Sequence, residues 1–192
     1  MLSERQQEII DKSIRILATK GIQGLTIKNL SHEIGISEPA IYRHFESKTD
    51  ILIEILRNFE TMTQTISREL AELDLPSLRK LELFFSRIIE IFIERPYRIS
   101  VIFSEEYFKG DEALKEHIIK IMNNNEKNVE KIIREGQKKG EIRNDIDSHS
   151  LTIILLGSIR LLIKMWDLQD QHRNLIVESR KMFEGLNLIL KK

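Results

Sequence analysis

Apolar residues recur at helical spacing almost from the first residue. Ser3, with Gln6 three positions on, forms a capping-box pattern, and Ile10, Ile14 and Leu17 then fall at i, i+4 and i+7, predicting an amphipathic helix over about 3 to 19 that Gly21 stops. Thr26 is placed as the N-cap of a second helix, marked by Ile27, Leu30 and Ile34 and ended by Gly35. Ser37 opens a third, with Pro39 tolerated in its first turn, Ile41 and Phe45 on one inward face, and Tyr42, Arg43 and His44 outward or flanking. Ser47 and Asp50 repeat the capping pattern, and Ile51, Leu52, Ile55 and Phe59 begin a long fourth helix to about residue 72.

Farther on, Pro76 restarts the chain for a fifth helix to about Arg95, and Pro96 forces a break before a short sixth helix over about 97 to 104. The segment EEYFKGDEA reads as a loop. A seventh helix, about 112 to 138, carries a seam of Ile118, Met122, Asn125, Val129 and Ile132, with Asn125 its polar interruption. The turn-rich stretch KKGEIRNDIDSHS leads into an eighth helix, about 148 to 168, and a ninth follows at about 173 to 190. The last two are apolar over more than one face, which predicts burial on two sides.

Composition agrees with this pattern. Eight Gly and three Pro in 192 residues, with Leu, Ile, Glu and Lys prominent, favour helices over a many-stranded fold. The fold expected is all-α, with about nine helices. The chain has no cysteine, so disulfides, thiolate zinc sites and cysteine nucleophiles are excluded. Its five histidines show no H-x-x-x-H or H-E-x-x-H spacing, and no Gly-rich phosphate loop or G-x-S-x-G elbow occurs, so neither a metal, a cofactor nor an enzyme is expected. The opening MLSERQQEII lacks a basic n-region and a long apolar core, and the most apolar stretch, from Leu151 to Ile163, is interrupted by Gly157, Ser158 and Arg160, so a cytoplasmic protein with no membrane partner is expected.

Charge adds nothing by its sum: 30 basic and 30 acidic residues balance overall, and seven of each balance within residues 1–50. Placement matters more, because a few cations and helix N-termini aimed at phosphates act within a screening length of roughly 10 Å.

Three short helices with the tight Gly35-Ile36-Ser37 step between the second and third make a helix-turn-helix pattern, whose third helix fits a major groove. The stretch GIQGLTIKNLSHEIGISEPAIYRHFESKTDIL resembles the N-terminal signature of the TetR family of bacterial repressors. Thr26 opening helix two, the Gly35-Ile36-Ser37 turn, Tyr42, His44 and Phe45, and Lys48 near the start of helix four all match it. Residues 1–47 are therefore expected to be a DNA-binding domain and residues 48–192 a helical ligand-sensing and dimerisation domain.

Thr26, Ser37 and Lys48 fall at or near helix N-termini, where free N–H groups and the dipole favour phosphate. Tyr42 and His44 offer hydrogen-bond donors, and Lys28 and Lys48 charge. Base reading falls to the start of helix three, where Glu38 would accept from a cytosine amino group, or simply stabilise the helix N-terminus, and Pro39 or Ala40 would touch a thymine methyl. The resemblance implies an effector pocket among the later helices, for which Phe84, Arg87, Tyr97, Phe103, Tyr107, Met122, Asn125, Arg160 and Trp166 are candidates. Ordinary core packing is the competing role for the bulky ones. Arg87 and Arg160 would hold an anionic ligand such as a fatty acid or acyl conjugate, or else be exposed or paired with an acid.

Gly157 and Leu161 of the eighth helix with Leu175, Met182, Phe183, Leu186 and Leu190 of the ninth are the candidate dimer interface, a four-helix arrangement, although Gly157 would equally suit a close neighbour within one subunit. The expectation is a homodimeric repressor on a pseudo-palindromic operator, released by an apolar or amphipathic effector. The alternative is a DNA-bound structural or partner-recruiting protein without an inducer, resembling family members that act in nucleoid occlusion.

Overall fold

The computed structural model describes residues 2–103 and 110–191, and among these it contains nine α-helices and no strand. In chain order they are α1 (Glu4–Gly24), α2 (Ile27–Ile34), α3 (Glu38–Tyr42), α4 (Lys48–Glu72), α5 (Ser77–Glu94), α6 (Tyr97–Ile102), α7 (Glu112–Lys139), α8 (Ser148–Leu168) and α9 (Leu175–Leu190). Caps explain most boundaries. At α1 the Ser3 hydroxyl accepts from the Gln6 N–H while the Gln6 side chain accepts from the Ser3 N–H, the reciprocal box expected from those residue types. Asp147 and Asn174 cap α8 and α9 in the simpler one-way manner.

Two boundaries differ from the sequence pattern. Helix α1 runs to Gly24 rather than stopping near residue 19, because Gly21 takes a left-handed φ of 65° and introduces a kink after which one more turn forms. Helix α6 ends at Ile102, one turn being closed by Phe103. Most of the EEYFKGDEA segment, Tyr107 included, lies outside the described residues. The seam of α7 is rotated from the expected one: Ile118 and Val129 are buried, but the inward place next to them belongs to Leu114, Ile121 and Ile133, and Met122 is exposed.

The chain divides into two compact units, one drawn from Met1–Thr61 and Pro96–Ile119, the other from Met62–Arg95 and Lys120–Lys192. In the first, α1 packs against α2 and α6 around Ile9, Ile10, Leu17, Leu30, Ile41 and Leu52, all fully buried. Side-chain bonds close it: Gln6 donates to the His44 carbonyl, and Thr49 bonds Asp111, whose other oxygen accepts from the Leu114 N–H and so caps α7.

In the second unit α9 packs on α5 and α8, with Phe84, Phe85 and Phe183 at the centre. Phe85 meets Phe84 edge-on and Phe183 tilted, both at 5.4 Å between centroids, the offset geometries that the ring quadrupole favours. Glu141, in the connection between α7 and α8, accepts from the Ser77 N–H at 2.6 Å and so caps α5, whose own N-cap position holds Pro76 with no side chain to do it.

Candidate nucleic-acid interface

The interface is built by the α2–α3 step. Thr26 accepts from the Asn29 N–H at 3.0 Å, and the Asn29 amide donates to the Gly24 carbonyl at 2.8 Å, so the first turn of α2 is bolted to the end of α1. Gly35 then ends α2 in a left-handed conformation, φ 78° and ψ 32°, with its N–H and that of Ile36 both donating to the Ser31 carbonyl. The chain reverses into α3 at Ser37, whose hydroxyl makes no capping bond and lies exposed.

Helix α3 has only five residues, and one residue orients it. Ile41 is fully buried in the head core, assisted by Phe45, and this turns Glu38, Pro39, Tyr42 and Arg43 to solvent, Tyr42 at 50% exposure. Ala40 and His44 are half-buried beside them, and Lys28 of α2 is exposed. A half-exposed tyrosine next to an arginine, at the end of a short protruding helix, presents a hydroxyl donor and a guanidinium fork of the kind phosphates accept. The sequence reading omits Arg43 from the contact set, although it is an exposed cation at that end of α3.

Lys48, the first residue of α4, directs its ammonium to the Ile22 carbonyl at 3.2 Å, in the turn after the Gly21 kink. It thus links the start of α4 to the end of α1. Two other cations of the head are internal partners: Lys12 and Arg15 both approach Glu33, at 3.8 and 3.9 Å, leaving α2's acid partly neutralised.

Of the expected effector residues, Tyr97 and Phe103 belong to the first unit and Phe84, Arg87, Met122, Asn125, Arg160 and Trp166 to the second. Tyr97 is buried and carries the Arg98 guanidinium 5.8 Å from its ring centre, a cation–π contact. Phe84 is core. Trp166 is buried with its indole N–H donated to the Arg173 carbonyl at 2.9 Å, Arg87 is paired with Glu69 at the surface, Asn125 is half-buried, and Met122 faces outward. Arg160 is half-buried, and desolvation lowers its pKa from the ordinary arginine value.

The expected dimer residues separate into two groups. Leu175, Phe183, Leu186 and Leu190 are buried within their own subunit, and Met182 is half-buried. Gly157 is exposed, with open space where a Cβ would stand, and Leu161 is 63% exposed. Within the single chain, α8 leaves Ile153, Ile154, Leu161, Met165 and Leu168 exposed, and α9 leaves Ile176, Val177, Leu188 and Ile189 exposed. Among the described residues no helix is long and apolar enough to cross a membrane, and no cluster of His, Asp and Glu is arranged to hold a metal.

A family model described as bacterial regulatory proteins, tetR family, matches residues 9–55, and one described as tetracyclin repressor-like, C-terminal domain, matches residues 74–166. The fatty acid metabolism regulator protein of Bacillus subtilis (strain 168) is 23% identical over 184 residues, covering 95% of this chain and 93% of its own. The nucleoid occlusion factor SlmA of Vibrio atlanticus (strain LGP32) is 28% identical over 162 residues, 82% of this chain and 81% of its own. A crystal structure of the transcriptional regulator FadR from Bacillus subtilis, in complex with stearoyl-CoA, matches with a TM-score of 0.81 at 22% identity, over 94% of this chain and 96% of that one, a likeness of fold.

Proposed function

Because the chain belongs to the TetR family of bacterial transcriptional regulators, we propose that it is a ligand-responsive repressor, a homodimer that holds a pseudo-palindromic operator and is released by an amphipathic effector. The observation that carries the DNA half of this reading is the orientation of α3: Ile41 in the core, Tyr42 and Arg43 in solvent. With α3 in a major groove, Glu38, Pro39 and Ala40 meet base edges, and Lys28, Ser37, Tyr42, Arg43 and His44 meet the backbone. The hydroxyl of Thr26 already serves its own helix, so its part is to aim the N-terminus of α2.

Dimerisation is supported by the number of large apolar residues that α8 and α9 leave exposed, since exposed apolar surface of this kind marks subunit contacts when it is contiguous. Two copies related by a two-fold axis bring four helices together and set two reading helices about 34–36 Å apart or somewhat more. An acyl compound as effector is supported by similarity to a fatty acid metabolism regulator and to a FadR crystallised with stearoyl-CoA. Helix α4 supplies residues to both units, so an effector that favours one tilt of it changes the spacing of the reading heads. A coupling of about 1–3 kcal/mol gives a 5- to 150-fold response. The protein works in the cytoplasm and catalyses nothing.

Similarity to SlmA keeps a second reading in view, binding at many chromosomal sites without an inducer. One experiment separates them. An inverted repeat beside the coding region, labelled and titrated with purified protein, is bound at least about 10³-fold more tightly than a scrambled duplex under local repression, and a long-chain acyl compound releases it. Binding at scattered sites and indifference to acyl compounds selects the second reading, and failure to retain any duplex at low salt removes both.

A further inference from the structure

We propose that a cleft in the second unit, walled by α4, α5 and α7, binds the phosphate group of a small anionic ligand. Its volume is about 470 Å³, within the usual ligand-site range of roughly 300–1,000 Å³. Arg68 of α4, Lys80 of α5 and Lys131 of α7 converge on it against a single carboxylate, Glu135.

Arg5, Arg57, Arg79, Arg87, Arg134 and Arg143 each sit in an ion pair. Among the described residues none of these three cations is held in one, a state they share with other surface cations such as Lys28 and Arg43; what singles out Arg68, Lys80 and Lys131 is that all three line one cleft. Arg68 donates to the Thr65 hydroxyl at 3.3 Å and Lys80 reaches the Ala71 carbonyl at 3.5 Å, so most of their donors are unused. Three like charges from three helices repel one another, and an anion between them removes that repulsion.

The ligand class follows from charge and donor count. Three cations and one carboxylate line the cleft, and the Glu141 carboxylate acts on Lys80 from outside the lining, so a net positive charge of one to two faces the cleft, the sign and size that a phosphate monoester at about −1.5 to −2 answers. A carboxylate would present two oxygens to three cations, whereas a phosphate presents three. Behind them the wall is set, because the Asn128 amide donates to Ser67 at 3.0 Å and Ser67 donates to the Thr63 carbonyl at 2.9 Å. Leu70 and Ile132 line the cleft beside this polar wall, apolar surface on which a carbon chain can rest.

This inference rests on the effector reading and names the head group for it. Isothermal titration of the full chain uses two probes, inorganic pyrophosphate and decyl phosphate, with decanol as the uncharged control. The variant is R68Q/K131Q, both positions exposed. The matched control is K138Q/K139Q, which loses the same charge in the last turn of α7 outside the cleft. The expected result is binding of at least one phosphate probe, weakened about tenfold or more in R68Q/K131Q and within about twofold of wild type in the control.

Pyrophosphate binding as tightly as decyl phosphate supports a free phosphate compound as the ligand. Tighter decyl phosphate supports the head group of an amphiphile. The proposal is overturned if neither probe binds, or if both variants lose affinity equally. Operator release, measured in parallel, separates the two levels. Cleft-dependent binding without release leaves the cleft and overturns the inducer reading. Release by an acyl compound, with phosphate binding unaltered in R68Q/K131Q, does the reverse.

Discussion

Gly35 shows how much one position carries. Its φ of 78° is a left-handed conformation in which an added Cβ would meet nothing within 4 Å, so the cost of substitution there lies in the backbone and not in packing. Gly35→Ala is expected to destabilise the chain by about 1 kcal/mol, a fall in Tm of roughly 2–4 °C for a protein of this size, and Gly35→Asn by less, both read by thermal melts. Lys48 admits a sharper question, since its ammonium is bonded to the Ile22 carbonyl and also begins the helix that leaves the reading head. Lys48→Ala should weaken binding to all duplexes. A log affinity against log salt slope shallower by about one unit assigns it a phosphate, while an unchanged slope assigns its whole effect to holding the end of α1. Arg43→Ala, for which no such internal bond is present among the described residues, is expected to show the shallower slope.

At the level of helices, the start of α5 and the end of α7 depend on one another. The Ser77 backbone N–H, then desolvation in the opposite sense and further bonds to Ser77, leave the Glu141 carboxyl below its ordinary pKa. A depressed carboxylate contributes stability above its unfolded pKa and loses it as pH falls through the folded value. Glu141→Ala should therefore cost about 0.5–1 kcal/mol at neutral pH, as for a lost helix cap, and the gap from wild type should close as the solution is acidified below the ordinary glutamate range. Gly136, in the last turn of α7, has the opposite problem to Gly35: a Cβ would stand 2.7 Å from Ile142 Cδ1 and 2.8 Å from the Ser77 Cβ. Overpacking there costs about 1–3 kcal/mol, and the propensity gain of Ala over Gly returns about 1, so Gly136→Ala is expected to be net destabilising by chemical denaturation.

For the molecule as a whole the surface proposed for dimerisation is the apolar face of α8 and α9. Leu161 and Leu188, 63% and 80% exposed, have little to lose within the subunit. L161E/L188E should keep the helical content and melting of a folded chain yet sediment as a monomer, with operator affinity falling with the dimer. Leu186→Glu, buried among α9's contacts, is instead expected to unfold the second unit, so the two variants distinguish an interface from a core. An L161E/L188E protein that remains dimeric would move the interface elsewhere.

The helices and most of their ends were legible in the chain because caps and periodicity are local: Ser3 with Gln6, Thr26, Gly35, Asp147 and Asn174 act within one turn of themselves. The head's pattern was legible for the same reason, since Ile41 and the turn at Gly35 orient α3 from a few residues away. Partnership between distant residues was not. Nothing near Leu186 or Leu161 in the sequence says that one is buried and the other in solvent, nothing near Ser77 points to Glu141, and nothing near Lys48 points to Ile22. Those pairings arise when the chain reverses and helices far apart in sequence pack side by side, where burial and unshared hydrogen-bond donors, rather than residue type, settle what each side chain does.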